Sequence, residues 1–390
     1  MNARERFRAT MRFEPVDRPF RWETLGIWPE TLDNWYAQGL DPALRQPAPD
    51  DQGALRYDEY ARVLVRAFGI DRVDYLRDVV ISGYTDSPFC PAFEREVLAE
   101  EGHTRLVRDV DGIVKRELAE YSTSSMPQFI TYPVKTRADF HALLPRLDAD
   151  APGRFTPDWP QVCAYYARRD FPVGFTVCGA FGHPRNLLGI EDLSLAYFDQ
   201  PALLHEILAQ WTEFNCRLAS RVWAGVQFDF LFIWEDMAYK NGSLISPRFV
   251  RQFMLPYYRR LIEHVRGLGC ETILVDSDGD VRQLVPLFLE AGVNAMLPFE
   301  VQAGMDIRAF RKAYGRNLAI IGGLDKRALT GDPVAMAQEL DAKLPAMLAG
   351  GGYIPCLDHT VPPDVTLADF RMYIDRVRAR AEHFPAGVDA

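Results

Sequence analysis

The length, composition and charge of the chain exclude several classes of protein. It has 390 residues, 48% of them hydrophobic and 25% charged, with a formal net charge of -10 at pH 7. This composition allows a large apolar core, and the acidic balance without a Lys/Arg block argues against nucleic acid as the main partner. Six scattered cysteines without a CxxC pair, and no apolar run long enough for a signal peptide or a membrane span, predict a cytoplasmic protein with reduced thiols.

The first 170 residues mix helical and extended patterns. The opening MNARERFRATMRF predicts an N-terminal helical extension, and the stretches RPFRWETLG at 18–26 and RVDYLRDVVISG at 72–83 can each supply a strand. Residues 93–118, FEREVLAEEGHTRLVRDVDGIVKREL, alternate around Asp111-Gly112. That pattern predicts an inserted β-hairpin at one end of the fold.

From about residue 170 onward, short β-rich runs alternate with amphipathic helices. The runs lie at 173–178, 228–234, 272–275, 295–299, 318–321 and 353–356. Six βα units in succession imply a parallel sheet, and with the two earlier strands they predict a (β/α)₈ TIM barrel as one domain over residues 1–390. The doubly wound open sheet is the alternative, but no GxGxxG follows a strand. In the helical stretch at 247–269, Pro256 predicts a kink, and Gly267 or Gly269 a helix end.

Acidic side chains follow five consecutive strand runs of the predicted barrel. Chemistry in such barrels lies at the carboxyl ends of the strands. Each carboxylate alone can instead cap the following helix, and Asp280 and Asp325 fit that role best. The residues at these ends are Glu235, Asp236, Asp276, Asp278, Glu300, Asp325, Asp358 and His359.

The motif LVDSDGD at 274–280 predicts a metal site. Asp276 and Asp278 are two residues apart, so in strand geometry they face the same side, and His359 can join them from a later strand end. Carboxylates this close together raise one another's pKa or recruit a cation. Two carboxylates and an imidazole with an open position form a site for zinc or another divalent metal.

Several other side chains are candidates for contact with substrate. His183 lies just after a strand, in CGAFGHPRNLLG, whereas the histidines other than His183 and His359 lie in helical runs or in the hairpin. Aromatic residues are concentrated near the strand ends, among them Trp22, Trp234 and Tyr239. They favour an aromatic pocket with an acidic floor, although an aromatic content of 12% places many such residues in any core.

Four stretches of the chain together resemble the uroporphyrinogen decarboxylase superfamily. They are RERFRATMRFEPVDRP, WEDMAYKNGSLISPRFVRQFMLPYYRRLIEHVR, LVDSDGD and CLDHTVPPDVTLADF. The resemblance implies a (β/α)₈ barrel. It also implies one of two activities, because the superfamily contains both the haem-pathway decarboxylase and corrinoid-dependent methyltransferases, some of which use zinc.

The resemblance favours the methyltransferase branch. The decarboxylase carries an arginine-rich stretch near its first strand, whereas this chain has Glu23 and aromatic residues there. An acidic rim would repel a substrate with many carboxylates. In thiol-methylating relatives zinc is held by a His-x-Cys pair and a later Cys. Alignment with that pattern places Asp276 and Asp278 on the pair and His359 on the last ligand.

The exchange of thiolates for oxygen and nitrogen ligands implies a more Lewis acidic metal. We therefore expect demethylation of a small methoxylated molecule, either aromatic or of another kind. Cobalamin would be carried by a separate corrinoid protein. Glu235 or Glu300 would serve as a fourth ligand or as the acid, and Trp22, Glu23, His183, Trp234 and Tyr239 would face the substrate.

Other functions stay open at the level of sequence. The acidic and aromatic pocket can instead bind a cationic methylated substrate without metal. The barrel can also act as a decarboxylase or lyase of a small acid, or as a binding module. The sequence does not define the oligomeric state and is compatible with a homodimer.

Overall fold

The fold alternates strands and helices along most of the chain. The computed structural model describes residues 1–47, 58–84, 87–119 and 127–381. The strands are β1 (Asp74–Tyr75), β2 (Glu96–Glu101), β3 (Thr104–Arg108), β4 (Val114–Leu118), β5 (Gln128–Thr131), β6 (Val173–Cys178), β7 (Phe230–Trp234), β8 (Ala238–Tyr239), β9 (Gly242–Ser243), β10 (Thr272–Asp276), β11 (Ala295–Leu297), β12 (Ala319–Ile321) and β13 (Tyr353–Ile354). The helices are α1 (Ala3–Met11), α2 (Pro29–Ala37), α3 (Glu59–Phe68), α4 (Arg137–Leu143), α5 (Trp159–Tyr166), α6 (Gly182–Leu188), α7 (Ile190–Asp199), α8 (Pro201–Gly225), α9 (Pro247–Phe249), α10 (Leu255–Leu268), α11 (Val285–Ala291), α12 (Ile307–Tyr314), α13 (Pro333–Ala349) and α14 (Leu367–Ala381).

A curved parallel sheet forms the barrel. Strands β1, β6, β7, β10, β11, β12 and β13 are hydrogen-bonded to one another in that order. The segment 20–27 occupies the eighth position, because Ile27 bridges Val361 in parallel and the carbonyl of Arg21 accepts the N–H of Asp71 at 2.9 Å. The molecule is therefore the predicted (β/α)₈ barrel, with six of its strands at the six predicted runs.

The strands are buried on both faces, which explains their nearly continuous apolar runs. One face packs against the surrounding helices, and the other fills the barrel interior. The interior is built mainly from large side chains that include Phe20, Trp22, Phe230, Phe232, Leu274, Leu297, Ile321 and Ile354.

Helix α1 covers the amino-terminal end of the barrel. Phe7 packs against Phe230, with ring centroids 5.2 Å apart. The Nε atoms of Arg4 and Arg8 donate to the same oxygen of the buried Asp229, at 2.8 and 2.7 Å. Since this end is covered, the carboxyl ends of the strands form the mouth at which ligands can enter.

An antiparallel sheet of β2, β3, β4 and β5 precedes the main run of βα units. Strands β2 to β4 lie within the region predicted as a hairpin, and the turns at Gly102 and Gly112 have φ of 59° and 78°. The fourth strand, β5, was missed because all four of its residues are exposed and give no alternation of burial. The extent of the single domain stays a prediction.

The helix predicted to be kinked near Pro256 contains a π turn. Helix α9 passes into the π turn Val250–Met254 before α10 begins. Pro256 lacks the N–H that a regular helix would use there, which accounts for the irregular turn. The helix ends at Gly269 in a left-handed conformation. None of the described helices has the length and apolar character needed to cross a membrane.

Candidate active site

Three ligand-type side chains meet at the barrel mouth. Asp278 follows β10, Glu300 follows β11 and His359 follows β13. One donor atom from each lies within 4.8 Å of the others, and Nε2 of His359 is 3.8 Å from Oδ2 of Asp278. A cavity lined in part by Asp278, Glu300 and Tyr239 opens beside them. The mouth thus presents two carboxylates and an imidazole to incoming ligands.

A sharp turn in the LVDSDGD motif positions two of these groups. Gly279 has φ of 81°, and a Cβ there would lie 2.8 Å from the backbone carbonyl of Ala238. Only glycine fits such a position. Its N–H donates to Oε2 of Glu300 at 2.9 Å, so the glycine brings the carboxylate of Glu300 beside the turn that carries Asp278.

Asp358 fixes the loop that carries His359. Its Oδ2 accepts the N–H of Val301 at 2.9 Å, and its Oδ1 accepts the N–H of Lys326 at 3.0 Å. The buried carboxylate therefore joins the loops after β11, β12 and β13. Asp325 has the predicted capping role, because it precedes the 3₁₀ turn Lys326–Leu329 and accepts the N–H of Arg327 at 2.9 Å. Asp280 accepts the N–H of Arg282 at 3.1 Å, but it closes a turn that precedes α11 and does not cap that helix.

Burial and neighbouring acidic groups raise the pKa of Asp276 and of Asp278 at the mouth. Burial is the largest cause for Asp276, whose pKa is raised well above its usual value, and the charges of Asp278, Asp236 and Glu300 add to it. Burial, followed by the charges of Glu300 and Asp236, likewise raises the pKa of Asp278. Oδ1 of Asp278 is buried and has no hydrogen-bond partner within the described ranges. A bound cation would satisfy this oxygen and relieve the repulsion.

His359 is neutral and suited to metal ligation. Burial, followed by the charge of Lys326, lowers its pKa. Its Nδ1 accepts the N–H of Thr360 at 2.8 Å, so the neutral ring carries its proton on Nε2, the nitrogen that faces Asp278. A metal bound through Nε2 would displace this proton and require the ring to release Thr360.

Comparison with known sequences assigns the chain to a family. A sequence model described as uroporphyrinogen decarboxylase (URO-D) matches residues 119–380. The chain belongs to the uroporphyrinogen decarboxylase family. The resemblance inferred from the four sequence stretches is therefore confirmed.

Relatives in the uroporphyrinogen decarboxylase family match most of the chain at low identity. The uroporphyrinogen decarboxylase of Gloeobacter violaceus is 26% identical over 261 residues, which are 64% of this chain and 71% of the relative. That of Hahella chejuensis is 23% identical over 278 residues, which are 66% and 72% of the two chains. A solved methyltransferase from Methanosarcina mazei is 16% identical, covers 98% of this chain and 99% of its own, and superposes with a TM-score of 0.64. The structural likeness shows a shared fold.

Glu235, predicted to be catalytic, is enclosed in this member of the uroporphyrinogen decarboxylase family. Its Oε2 accepts the N–H groups of Phe181 and Gly182 at 2.9 and 3.0 Å. A Cβ at Gly179 would lie 2.1 Å from its carboxyl carbon. Burial raises the pKa of Glu235 to about 7. These contacts make it an anchor for the loop between β6 and α6, and its catalytic role stays a prediction.

Two of the predicted substrate-facing residues lie at the mouth. Trp234 is the last residue of β7, and its ring centroid is 6.3 Å from that of Tyr84. Tyr239, in β8, is 65% exposed and lines the cavity beside Asp278. Both are placed to contact a ligand at this end of the barrel, and their contact with substrate stays a prediction.

The structure places the other three substrate-facing candidates in buried surroundings. Burial lowers the pKa of His183 to about 4, and its Nε2 has no partner within the described ranges. Trp22 belongs to the barrel interior. Glu23 accepts hydrogen bonds from the hydroxyl of Tyr373 at 2.8 Å and from the N–H of Leu357 at 3.1 Å. Burial raises the pKa of Glu23 to about 7.

The remaining predicted metal ligand, Asp276, is the last residue of β10. Its carboxylate is buried and within electrostatic reach of Asp278 and Glu300. It is not one of the three donors that lie within 4.8 Å of one another. The structure thus brings Asp278 and His359 together with Glu300, which was predicted as a fourth ligand or acid.

Sequence reasoning missed two residues at the mouth, Lys326 and Arg77. Burial raises the pKa of Asp278 and the Lys326 charge opposes that rise, whereas burial lowers the pKa of His359 and the same charge adds to the effect. The Lys326 ammonium makes no ion pair with another described residue. Arg77 follows the first strand. A short strand of two residues gives no periodicity from which to predict the inward side chains, although RVDYLRDVVISG was identified as a strand region.

Proposed function

We propose that the protein is a metal-assisted methyltransferase that moves the methyl group of a small methoxylated molecule to the corrinoid of a separate protein. The observation that carries this proposal is the cluster of Asp278, Glu300 and His359, in which one buried carboxylate oxygen lacks a hydrogen-bond partner among the described residues. Membership of a family with more than one activity does not determine which reaction this protein catalyses. The proposal therefore rests on this donor set.

The donor set fits a hard or borderline divalent ion. Carboxylate oxygens and a neutral imidazole are ligands of zinc and of similar metals. The nearby Cys356 faces the barrel interior, where burial raises its pKa well above its usual value and keeps it a neutral thiol. Asp278, Glu300 and His359 would therefore hold the ion, which when bound would supply Lewis acidity at the ether oxygen.

The residues around this cluster would orient the substrate and supply a proton. Tyr84 and Trp234 present aromatic surface on which an arene can rest. The Lys326 ammonium is within electrostatic reach of Asp278 and His359. In the proposed reaction the O–CH₃ bond breaks, the methyl group goes to the reduced corrinoid, and the substrate oxygen takes a proton that Lys326 can donate.

Decarboxylation of a small acid is the second candidate function. The relatives from Gloeobacter violaceus and Hahella chejuensis favour it, since both are uroporphyrinogen decarboxylases. The acidic mouth opposes binding of a porphyrinogen with many carboxylates, so a substrate of this reaction would carry fewer. Decarboxylation would require no corrinoid.

A turnover assay distinguishes the two reactions. Zinc-loaded protein is mixed with a methoxylated arene and cob(I)alamin, and alkylation of the corrinoid is followed by its absorbance. We expect turnover in the wild type, a loss of about 100-fold or more in Asp278→Asn, and little change in Asp280→Asn, which alters only the turn and ion pair that Asp280 forms with Arg282. Carbon dioxide release from small acids without any corrinoid reaction, or an unchanged rate in Asp278→Asn, would refute the proposal.

A further inference from the structure

Arg77 and the acidic cluster lie at different strand ends of the barrel mouth. The cluster of Asp278, Glu300 and His359 follows β10, β11 and β13, whereas Arg77 lies just after β1, which β6 and β7 separate from β10 in the sheet. The Arg77 guanidinium is 5.3 Å from the ring centroid of Tyr75 and 6.0 Å from that of Tyr84. A ligand that spans the mouth would therefore meet a cation at one end and the metal-binding carboxylates at the other.

Arg77 has hydrogen-bonding capacity that its described neighbours leave unused. Its Nη2 donates to Oδ2 of Asp58 at 2.7 Å and to the hydroxyl of Tyr60 at 3.4 Å. Its Nη1 and Nε make no hydrogen bond to another described residue, and a quarter of the side chain is exposed. A guanidinium presents five N–H donors in a planar fork that matches a carboxylate. Arg77 can thus accept an anion while keeping its contact with Asp58.

An aromatic strip connects Arg77 to the acidic side. The ring centroid of Tyr84 is 5.6 Å from that of Phe232 and 6.3 Å from that of Trp234, both edge-to-face. Burial is the main cause that raises the pKa of Tyr84, the charge of Asp276 adds to the rise, and the charge of Arg77 opposes it. Tyr84 is therefore within electrostatic reach of Arg77 and of Asp276, which lies two residues before Asp278. An arene on this strip would have one edge near each charge.

We propose that Arg77 binds the carboxylate of an aromatic ether acid, whose ring lies on Tyr84 and Trp234 and whose methoxy oxygen points toward Asp278, Glu300 and His359. This inference deepens the proposed function and names its substrate class. Arg77 orients the ligand, because in the reversed pose its guanidinium would lose the carboxylate and face only the methoxy group. The subsite accepts a single carboxylate, which distinguishes it from a pocket for a porphyrinogen.

Ligand binding tests the subsite without corrinoid. Calorimetry compares 4-methoxybenzoate with 4-methoxybenzamide, which has the same shape and no charge. We expect the wild type to prefer the anion by about tenfold to a hundredfold, as for a charge-assisted hydrogen-bond pair. Arg77→Gln should lose this preference while its binding of the amide changes little, and Arg77→Lys should keep part of it. Arg282→Gln, which removes a 64% exposed arginine, should retain it.

Each outcome decides the matter. Equal binding of the two ligands by the wild type, or an undiminished preference in Arg77→Gln, overturns the inference. If Arg77→Gln fails to fold because Asp58 loses its partner, the double variant Arg77→Gln/Asp58→Asn replaces it under the same criteria. A preference that depends on Arg77 in a protein that transfers no methyl group would support the subsite and refute the proposed function. Methyl transfer by a protein that shows no preference for the anion would support the proposed function and refute the subsite.

Discussion

Replacing Glu235 with glutamine tests whether this residue is a buried loop anchor. The carboxyl group accepts two backbone N–H bonds between β6 and α6, and a glutamine carbonyl oxygen can accept both. Glutamine cannot ionise, so the substitution removes the cost of placing a charge in this enclosed position. We therefore expect Glu235→Gln to stabilise the protein at alkaline pH.

The magnitude follows from the raised pKa of Glu235, which increases from 4.5 to about 7 through burial. The folded state binds this proton more tightly than the unfolded state, so wild-type stability falls as pH rises from 4.5 through 7. A difference of about 2.5 pKa units corresponds to a loss of about 3 kcal/mol in the folding stability of the wild type at pH 8, as an upper limit. Below pH 4.5 the loss is zero. For a chain of this length, about 3 kcal/mol shifts the melting temperature by roughly 4 °C.

Melting curves between pH 4.5 and 8 provide the assay. The difference between Glu235→Gln and the wild type should grow with pH, whereas Glu263→Gln, on an exposed position of α10, should match the wild type throughout. Comparing variants at each pH removes contributions from other titrating groups. A difference that is constant with pH, or destabilisation by Glu235→Gln at pH 8, would refute the account of Glu235 as a buried carboxyl with a raised pKa.

Three further substitutions test the metal cluster. Lys326→Met should tighten zinc binding about fivefold, on the order of 1 kcal/mol, because it removes a nearby positive charge. An unchanged zinc affinity in titration calorimetry would argue against this. Gly279→Ala should cost about 2 kcal/mol or more in urea unfolding and weaken zinc binding, since its Cβ would meet the backbone of Ala238; wild-type values for both would contradict the turn geometry. Asp276→Asn should retain zinc, because its carboxylate is not among the three clustered donors, and metal loss would make it a ligand.

The barrel was predictable because its strands are buried on both faces. Runs such as 173–178 and 272–275 are buried along their whole length and are apolar except for one threonine each, and glycines end several of the helices between them. The first part of the barrel was less clear, because β1 has only two residues and the segment 20–27 joins the wall through isolated contacts. Exposed strands such as β5 carry no pattern of burial from which to predict them.

The candidate site was predictable in part, for a geometric reason. Strand ends gave Asp278, Glu300 and His359, because the carboxyl ends of parallel strands meet at one rim. The sequence could not show that Glu235 points into the loop after β6, since that depends on the space left by Gly179. The sequence also could not show that Asp278 joins the cluster and Asp276 does not, because the chain leaves strand geometry after β10.

The zinc content of the protein shows whether Asp278, Glu300 and His359 form a metal site. The protein is loaded with zinc, freed of excess metal and measured by mass spectrometry. We expect about one zinc ion per wild-type chain and less than about a tenth of that in Asp278→Asn, Glu300→Gln and His359→Gln, while Asp280→Asn remains loaded. Two results would contradict the existence of this metal site. One is the absence of zinc from folded wild-type protein after loading, and the other is full loading of both single variants, Asp278→Asn and His359→Gln.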